Sequence, residues 1–321
     1  MEAMTKESGR KPCVLVLGAA GYIGRHLVRA LAASGRAAPI AAVRRQAGLP
    51  AGMPIRYLDA TDASALARAL EGVDVVVNCI AGTPEVIVRG AEALRDVLAA
   101  SVHRPRLIHF SSMAAYGTAT GLIDESHPLL GDASAYSHAK AVSESMLAGV
   151  SDLVVLRPGC VYGRGSPQWT QDIGQLLRSG RLGDLGALGG HGSNLVHIDD
   201  VTDAVSRLLQ EPAHCGPFNL AMSLAPSWNE YFHAYAEMLG VAPLRRVGQV
   251  RLALDAWGAG AALKMASIAA RRLPIVAKVD MPPRLPPSLI RLWRQDIRLD
   301  STRAERELGV SWTALDQGLR T

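Results

Sequence analysis

The chain of 321 residues lacks several features that mark particular classes of protein. Its cysteines are Cys13, Cys79, Cys160 and Cys215, with no CxxC pair and no metal-type spacing, so neither disulfides nor a metal site are predicted. No uncharged run approaches the roughly 20 residues that span a bilayer. No run of lysine and arginine is interleaved with aromatic residues, which argues against nucleic acid as a partner. These absences favour a globular protein of a reducing compartment.

Two segments bear on localisation and partners. The first dozen residues are polar and have no signal-peptide core, so a cytoplasmic location is expected. The segment 252–270 is apolar but is interrupted by Asp255 and Lys264. It is interpreted as a helix that covers an apolar substrate pocket or the core. An interfacial membrane helix and a homodimer contact stay open as alternatives.

Short apolar runs alternate with helical periodicity through the N-terminal half. Runs at 14–17, 40–43, 73–80 and 107–110 are typical of strands buried on both faces, and helices are predicted between and after them, including 85–100 and 135–148. This alternation predicts an α/β fold, a Rossmann-type doubly wound parallel sheet with a smaller C-terminal substrate-binding domain. The predicted bounds are 11–165 plus 193–222 for the cofactor domain, and 166–192 plus 223–321 for the substrate-binding or lid region.

A glycine-rich turn follows the first predicted strand. Gly18, Gly21 and Gly24 have the spacing G-x-x-G-x-x-G between that strand and the next helix. Glycine there permits positive φ and lets the backbone approach a pyrophosphate, whose charge meets the N–H groups of the helix N-terminus. The turn therefore predicts a bound dinucleotide. A tight strand-to-helix turn without a ligand is the alternative.

Residues after the second and third predicted strands indicate which dinucleotide binds. Chains that bind NAD usually have a carboxylate after the second strand, whereas this chain has Arg44 and Arg45, with Arg25 in the adjoining helix. Arginines there suit the 2′-phosphate of NADP. NADP(H) is therefore preferred, and NAD(H) stays open if the arginines are merely solvated. Asp59 is expected either to accept from the adenine amino group or to cap the following helix.

Tyr136 and Lys140 are predicted to lie one helical turn apart, in a chain with only five lysines. An ammonium is a compact charge that can lower the pKa of a neighbouring phenol and still hydrogen-bond a sugar hydroxyl, whereas a guanidinium suits carboxylates and phosphates. The pair is therefore a candidate for acid–base catalysis.

Five segments, in order along the chain, resemble the extended short-chain dehydrogenase/reductase family, whose members are also described as NAD-dependent epimerases/dehydratases. They are the glycine turn 18–24, FSSMAAYG at 110–117, the Tyr136-x-x-x-Lys140 pair, LRPGCVYG at 156–163 and VHIDDV at 196–201. The resemblance covers residues 12–222. It implies a cofactor-binding domain of the Rossmann type and an oxidoreductase-type enzyme.

The resemblance also implies roles for individual residues. Ser112 takes the position of the catalytic serine, Tyr136 that of the acid/base and Lys140 that of its helper. Alternatively, Ser112 is only a turn residue and Tyr136 an ordinary half-buried aromatic. The residues implied in cofactor binding are Gly18, Ala20, Gly21, Tyr22, Ile23, Gly24, Arg44, Arg45, Asp59, Ala60, Ala81, Lys140 and Pro158, and no metal ligand is implied.

Departures from the family pattern narrow the expected reaction. Met113 and Ala114 stand where 4,6-dehydratases of the family have an Asp-Glu pair, so dehydration lacks its acid and base. Ser193 and Asn194 replace an Arg-Asp pair, so a usual anchor for a diphosphate is missing. The prediction is an NADP(H)-dependent oxidoreductase that acts on a small-molecule secondary alcohol or ketone. A nucleotide-sugar epimerase or reductase of the same family, and a non-catalytic NADP(H)-binding regulator, are the alternatives.

Overall fold

The structure, a computed structural model, describes residues 10–46, 48–256 and 285–320. The chain forms two compact units, each built from three separate segments. The first consists of Met1–Gly117, Leu129–Arg157 and Val201–Phe218, and the second of Thr118–Pro128, Pro158–Asp200 and Asn219–Thr321. The predicted domain bounds differ from these, and the assignment of a cofactor domain and a lid stays a prediction.

The strands, numbered in chain order, are short. They are β1 Cys13–Leu17, β2 Ala38–Val43, β3 Ile55–Tyr57, β4 Val75–Asn78, β5 Arg106–Phe110, β6 Gly121–Ile123, β7 Val154–Pro158, β8 Cys160–Tyr162, β9 Leu195–His197, β10 Gly216–Leu220 and β11 Ile297–Leu299.

The helices follow the same numbering. They are α1 Tyr22–Ser34, α2 Ala63–Ala69, α3 Pro84–Ala100, α4 Ala135–Leu147, α5 Ile173–Arg178, α6 Ile198–Gln210, α7 Trp228–Met238, α8 Gln249–Leu254, α9 Pro287–Arg294, α10 Thr302–Leu308 and α11 Leu315–Arg320. Shorter turns of 3-10 helix cover Met113–Tyr116 and Gly186–Gly190, and a π-helical turn covers Pro167–Asp172.

Seven strands form one sheet in the order β10-β7-β5-β4-β1-β2-β3. Every adjacent pair from β3 through β7 is parallel. β1 and the valines of β4 are apolar runs buried almost throughout, as expected for strands covered on both faces. The strand order reverses between β1 and β4, which confirms the predicted doubly wound Rossmann fold. The carboxyl ends of these two strands are where such a sheet binds its ligand.

Helices of the first unit follow from capping and amphipathic spacing. In α1 the buried residues Gly24, Leu27, Val28 and Leu31 fall on one face, and Gly35 ends the helix in the left-handed conformation at φ 63°. Asp62 caps α2 by accepting from two backbone N–H groups. This corrects one of the two expectations for Asp59, because the cap of this helix is Asp62.

The second unit has small sheets and an aromatic cluster. β6 pairs with β11 and β8 with β9, both in parallel. Trp228 of α7 contacts three other aromatic rings, those of Trp169, Phe232 and Trp293. Most of the predicted segment 252–270 lies outside the described residues, so its interpretation stays a prediction. Among the residues that the structure describes, no helix has the length and apolar character to cross a membrane. The cytoplasmic location stays a prediction.

Candidate active site

The glycine turn between β1 and α1 needs glycine at two positions. Gly18 has φ +75°, and a Cβ there would lie 2.9 Å from the carbonyl oxygen of Cys79. A Cβ on Gly24 would lie 2.4 Å from the carbonyl oxygen of Gly18. The turn is closed by the N–H of Gly21, which donates to Gly18 O at 2.9 Å. The sequence spacing therefore reflects close packing of backbone against backbone.

The N-terminus of α1 suits a phosphate. Its N-cap residue is Gly21, which offers no side-chain cap, whereas α2 and α4 are capped by Asp62 and Ser134. Uncapped N–H groups at a helix N-terminus attract an anion. The glycine cradle and this open helix end fit the pyrophosphate of a dinucleotide.

Replacement of Gly24 by alanine tests this close packing. The added methyl would meet backbone atoms of Gly18 and Ala19, so we expect a destabilisation of about 1–3 kcal/mol and a loss of dinucleotide binding. Thermal unfolding with and without NADPH measures both effects. Gly90→Ala in α3 is the matched control, because a Cβ there meets only a side-chain carbon at an ordinary 3.7 Å. Equal behaviour of the two variants would contradict the role given to Gly24.

Charged residues surround the ends of β2 and β3 in the first unit. Arg44 and Arg45 follow β2 directly and are exposed. Arg25 donates to the carbonyl of Ala20 in the glycine turn at 3.0 Å. Asp59 accepts from the N–H and the hydroxyl of Thr61, and these bonds, together with the charge of Arg44, lower the pKa of its carboxyl. Asp59 is therefore an ionised acceptor near the exposed Arg44.

The remaining predicted cofactor residues lie at the carboxyl ends of strands or at the start of α1. Tyr22 and Ile23 are the first two residues of α1 and are half-buried, and Ala20 is exposed in the turn. Ala60 follows β3, Ala81 follows β4, and Pro158 is the last residue of β7. Their roles in binding stay predictions.

Ser112, Tyr136 and Lys140 come together in the first unit. Ser112 follows β5, and its side chain is close enough to the phenol of Tyr136 to oppose the rise in the pKa of that phenol. The Nζ of Lys140 lies 5.9 Å from the centre of the Tyr136 ring and donates to the carbonyl of Phe110 at 2.7 Å. Lys140 is 2% exposed, whereas Tyr136 is 39% exposed. The ammonium is thus held inside the protein, while the side chain of Tyr136 is partly exposed.

Helix α4 rests on the sheet through polar side chains. Ser137, Lys140, Ser143 and Glu144 are all buried on the face that packs inward. Ser137 donates to the carbonyl of Ala114 at 2.6 Å, and Lys140 to that of Phe110. Because hydrogen bonds are directional, this face sets the register of the helix more strictly than apolar packing would.

The ionisation of the two central groups follows from burial. Burial lowers the pKa of Lys140 to about 8, with Cys79 and Glu144 opposing the shift. Burial raises the pKa of Tyr136, and the side chain of Ser112 only partly offsets this rise. Desolvation of the phenol is thus the larger effect, and the expectation that Lys140 lowers the pKa of this phenol stays a prediction. Tyr136 is protonated at neutral pH.

Two groups of residues in the site were not identified from the sequence. Arg157 of β7 forms a buried ion pair with Glu144 at 2.7 Å and donates to the hydroxyl of Tyr116 at 2.9 Å. His109 of β5 is buried between α4 and β4. The sequence does show Glu144 as a carboxylate one helical turn after Lys140. Its partner Arg157 lies on β7, so the ion pair could not be predicted from helical spacing.

The departures from the family pattern have structural roles here. Met113 is buried in the 3-10 turn after Ser112, and the N–H of Ala114 donates to the Ser112 hydroxyl at 3.2 Å. In the second unit the side chain of Asn194 bridges two backbone groups of β11, and Ser193 donates to the carbonyl of Pro226. Ser193 and Asn194 thus bind the protein's own backbone. Among the described residues no group of three or more His, Cys, Asp or Glu side chains is placed to hold a metal ion.

The doubly wound sheet with a glycine turn after β1 defines a protein of the dinucleotide-binding Rossmann class. The chain belongs to the NAD dependent epimerase/dehydratase family, whose model matches residues 14–221. The predicted family is therefore confirmed. At this level the protein is one of the NAD(P)-binding epimerases, dehydratases and reductases of the extended short-chain dehydrogenase/reductase group.

Curated relatives share a fraction of the sequence. The chain is 30% identical over 160 residues to the protein YeeZ of Escherichia coli strain K12, a match of 47% of this chain and 53% of YeeZ. It thus spans about half the length of that relative. It is 29% identical over 256 residues to a 3-diazoavenalumate denitrifying reductase of Streptomyces sp., covering 72% of this chain and 83% of the reductase.

Solved structures show the same fold over nearly the whole chain. WbmG of Bordetella bronchiseptica, in complex with NAD, has a TM-score of 0.71 at 18% identity and covers 97% of this chain and 93% of its own. The human epimerase family protein SDR39U1 (isoform 2), with NADPH, has a TM-score of 0.71 at 17% identity and covers 96% and 98%.

Proposed function

We propose that this protein is an NADP(H)-dependent oxidoreductase that interconverts a secondary alcohol and a ketone. The observation that carries the proposal is the convergence of a hydroxyl, a phenol and a buried ammonium, from Ser112, Tyr136 and Lys140, in the unit that holds the glycine turn. One of the relatives above bears the name reductase, which agrees with this reaction. Two of the solved structures contain NAD and NADPH, respectively, which supports a nicotinamide cofactor.

Each of the three side chains has a separate role in ketone reduction. The nicotinamide, when bound, supplies the hydride. Tyr136 donates its proton to the oxygen that gains charge, and it is suited to this because its raised pKa keeps it protonated at neutral pH. Ser112 donates a hydrogen bond to the same oxygen. Lys140 stabilises the phenolate that remains, since it is a cation within 5.9 Å of the phenol ring.

The departures from the family pattern favour this reaction over its alternatives. Dehydration needs an acid and a base beside the catalytic hydroxyl, and Met113 and Ala114 provide neither. The side chains of Ser193 and Asn194 are hydrogen-bonded to the protein's own backbone, which argues against a role as a diphosphate anchor. A small or lipophilic ketone is therefore proposed in preference to a nucleotide sugar.

The cofactor preference is tested by thermal shift and calorimetry with NADPH, NADH and UDP- and dTDP-sugars. NADPH should bind tighter than NADH, because Arg44 and Arg45 suit a 2′-phosphate. Arg44→Ala and Arg45→Ala should each weaken NADPH by on the order of 10-fold, the loss of a charge-assisted hydrogen bond, and leave NADH unchanged.

Arg95→Ala supplies the matched control, since Arg95 is an exposed arginine of α3 that pairs with Asp96. NADH binding tighter than NADPH would contradict the cofactor assignment. Stabilisation by a nucleotide sugar would favour the epimerase alternative instead.

A further inference from the structure

A buried chain of polar side chains connects the end of β4 to helix α4 through β5. Asn78, His109 and Ser143 are 3%, 2% and 0% exposed. The amide nitrogen of Asn78 lies 3.0 Å from Nδ1 of His109, and Nε2 of His109 lies 3.2 Å from the hydroxyl of Ser143. The Ser143 hydroxyl donates in turn to the carbonyl of Lys140 at 2.8 Å.

The direction of each hydrogen bond follows from the donors available. The Oδ1 of Asn78 accepts from the N–H of Ile80 at 3.1 Å, so its amide nitrogen faces His109 and can only donate. His109 therefore accepts at Nδ1 and carries its proton on Nε2, which donates to Ser143. Ser143 has its own proton left for the carbonyl of Lys140. One neutral tautomer of His109 satisfies the whole chain.

The two ends of this chain lie at the two halves of the candidate site. At the β4 end, Ile80 follows Cys79, whose carbonyl oxygen lies so close to Gly18 that only glycine fits there. At the α4 end is Lys140, whose ammonium is fixed to Phe110, the residue after His109. The loop against the glycine turn, the strand before Ser112 and the helix of Tyr136 and Lys140 are thus bonded to one another.

We propose that His109 is a positioning residue, which sets the register of α4 against β5 and so holds Lys140 at the glycine-turn side of the site. This role rests on the proposed function, because it assigns to His109 the placement of a residue that acts on the cofactor and on Tyr136. His109 itself touches neither the phenol of Tyr136 nor the hydroxyl of Ser112 among its hydrogen bonds.

The environment of His109 keeps its imidazole uncharged. Burial and the positive charge of Lys140 lower the pKa of His109 to about 3. The imidazole therefore stays uncharged and keeps its acceptor for Asn78 at any ordinary pH. The other titratable groups that face Lys140 are Cys79 after β4 and Glu144 and Tyr136 on its own helix.

The test uses three variants of the full-length protein with lysines labelled with ¹⁵N. Ser143→Ala removes the acceptor for His109, His109→Leu removes the whole link, and His109→Gln retains an amide donor toward Ser143. Ser145→Ala is the matched control, because that hydroxyl bonds within α4, to the carbonyl of Ala141. The titration of Lys140 by NMR and the Kd for NADPH are measured for each.

Ser143→Ala and His109→Leu should raise the pKa of Lys140 toward its ordinary value, because a looser helix admits water to the ammonium. They should also weaken NADPH about 3- to 10-fold, the loss of one buried hydrogen bond. His109→Gln should recover part of both effects, and Ser145→Ala should behave as wild type.

If Ser143→Ala and His109→Leu lower Tm but leave the Lys140 titration and the NADPH affinity as in Ser145→Ala, His109 is a structural residue only and the inference is overturned. A wild-type protein that does not bind NADPH overturns the proposed function instead. The titration of Lys140 needs no cofactor, so it still decides whether His109 sets the position of Lys140.

Discussion

Replacement of Tyr136 by phenylalanine should leave NADPH bound and remove nearly all turnover. In the proposed mechanism the phenol donates a proton to the substrate oxygen, and proton transfer of this kind contributes on the order of 10²- to 10⁴-fold. Its ring stays the same size in the variant, so the fold and the 5.9 Å contact with Lys140 should survive. Turnover is measured as ketone-dependent oxidation of NADPH, with the ketone that the wild type reduces fastest from a panel of aliphatic, aromatic and cyclic compounds.

Tyr57→Phe is the matched control for this variant. Tyr57 lies at the end of β3 with 62% of its surface exposed, so loss of its hydroxyl should change neither binding nor turnover. Ser112→Ala should reduce turnover as well, because it removes the second hydrogen bond to the substrate oxygen and the hydroxyl near the phenol. Full activity in Tyr136→Phe would refute the assignment of the acid.

The pattern of the central sheet could be predicted because its strands depend on local sequence. β1 and the valines of β4 are apolar runs between turn residues, and the predicted and observed strands overlap at both. Helix α4 was predicted over 135–148 and runs over Ala135–Leu147, since Ser134 caps its start. Pairing of β6 with β11 could not be predicted, because each has three residues and their registers are set by contacts far apart along the chain.

The spacing of Tyr136 and Lys140 could likewise be read from the sequence, because residues four apart on a helix share a face. The residues that contact this face of α4 could not be predicted from the sequence. His109 lies on β5 and Arg157 on β7, and only the sheet order brings both strands beneath α4. The effect of burial on the pKa of Tyr136 could not be predicted for the same reason, since desolvation depends on packing that no local pattern contains.

The choice between Asp59 and Asp62 shows how a local ambiguity is settled by geometry. Both carboxylates precede α2, and either is a plausible cap by residue type. Asp62 is adjacent to the helix and accepts from the N–H groups of Ser64 and Ala65. Asp59, three residues earlier, bonds to Thr61 instead and keeps its second carboxylate oxygen clear of hydrogen bonds within the described residues. The predicted bond to an adenine amino group would use that oxygen.

Glu144→Gln should be strongly destabilising, because it leaves the guanidinium of Arg157 buried without its counter-charge. The two side chains are 6% and 7% exposed, and the carboxylate accepts from both Nε and Nη2 of Arg157. Breaking a buried pair from one side costs about 3–5 kcal/mol. For a chain of this size, that corresponds to a fall in Tm of roughly 10 °C. The loss of negative charge near Lys140 should also lower the pKa of that ammonium further.

A double variant separates the cost of an unpaired charge from the value of the pair. Glu144→Leu with Arg157→Met removes both charges at similar volume, so its stability should approach that of the wild type, because neither ion is then desolvated alone. Asp203→Asn is the control, since it breaks an ion pair with Arg207 whose side chains are 45% and 40% exposed, and such a pair contributes about 0.5 kcal/mol. Urea and thermal unfolding measure all three. A Glu144→Gln protein as stable as Asp203→Asn would show that water solvates Arg157 or that another group pairs with it. The ion pair would then not be what holds α4 to β7.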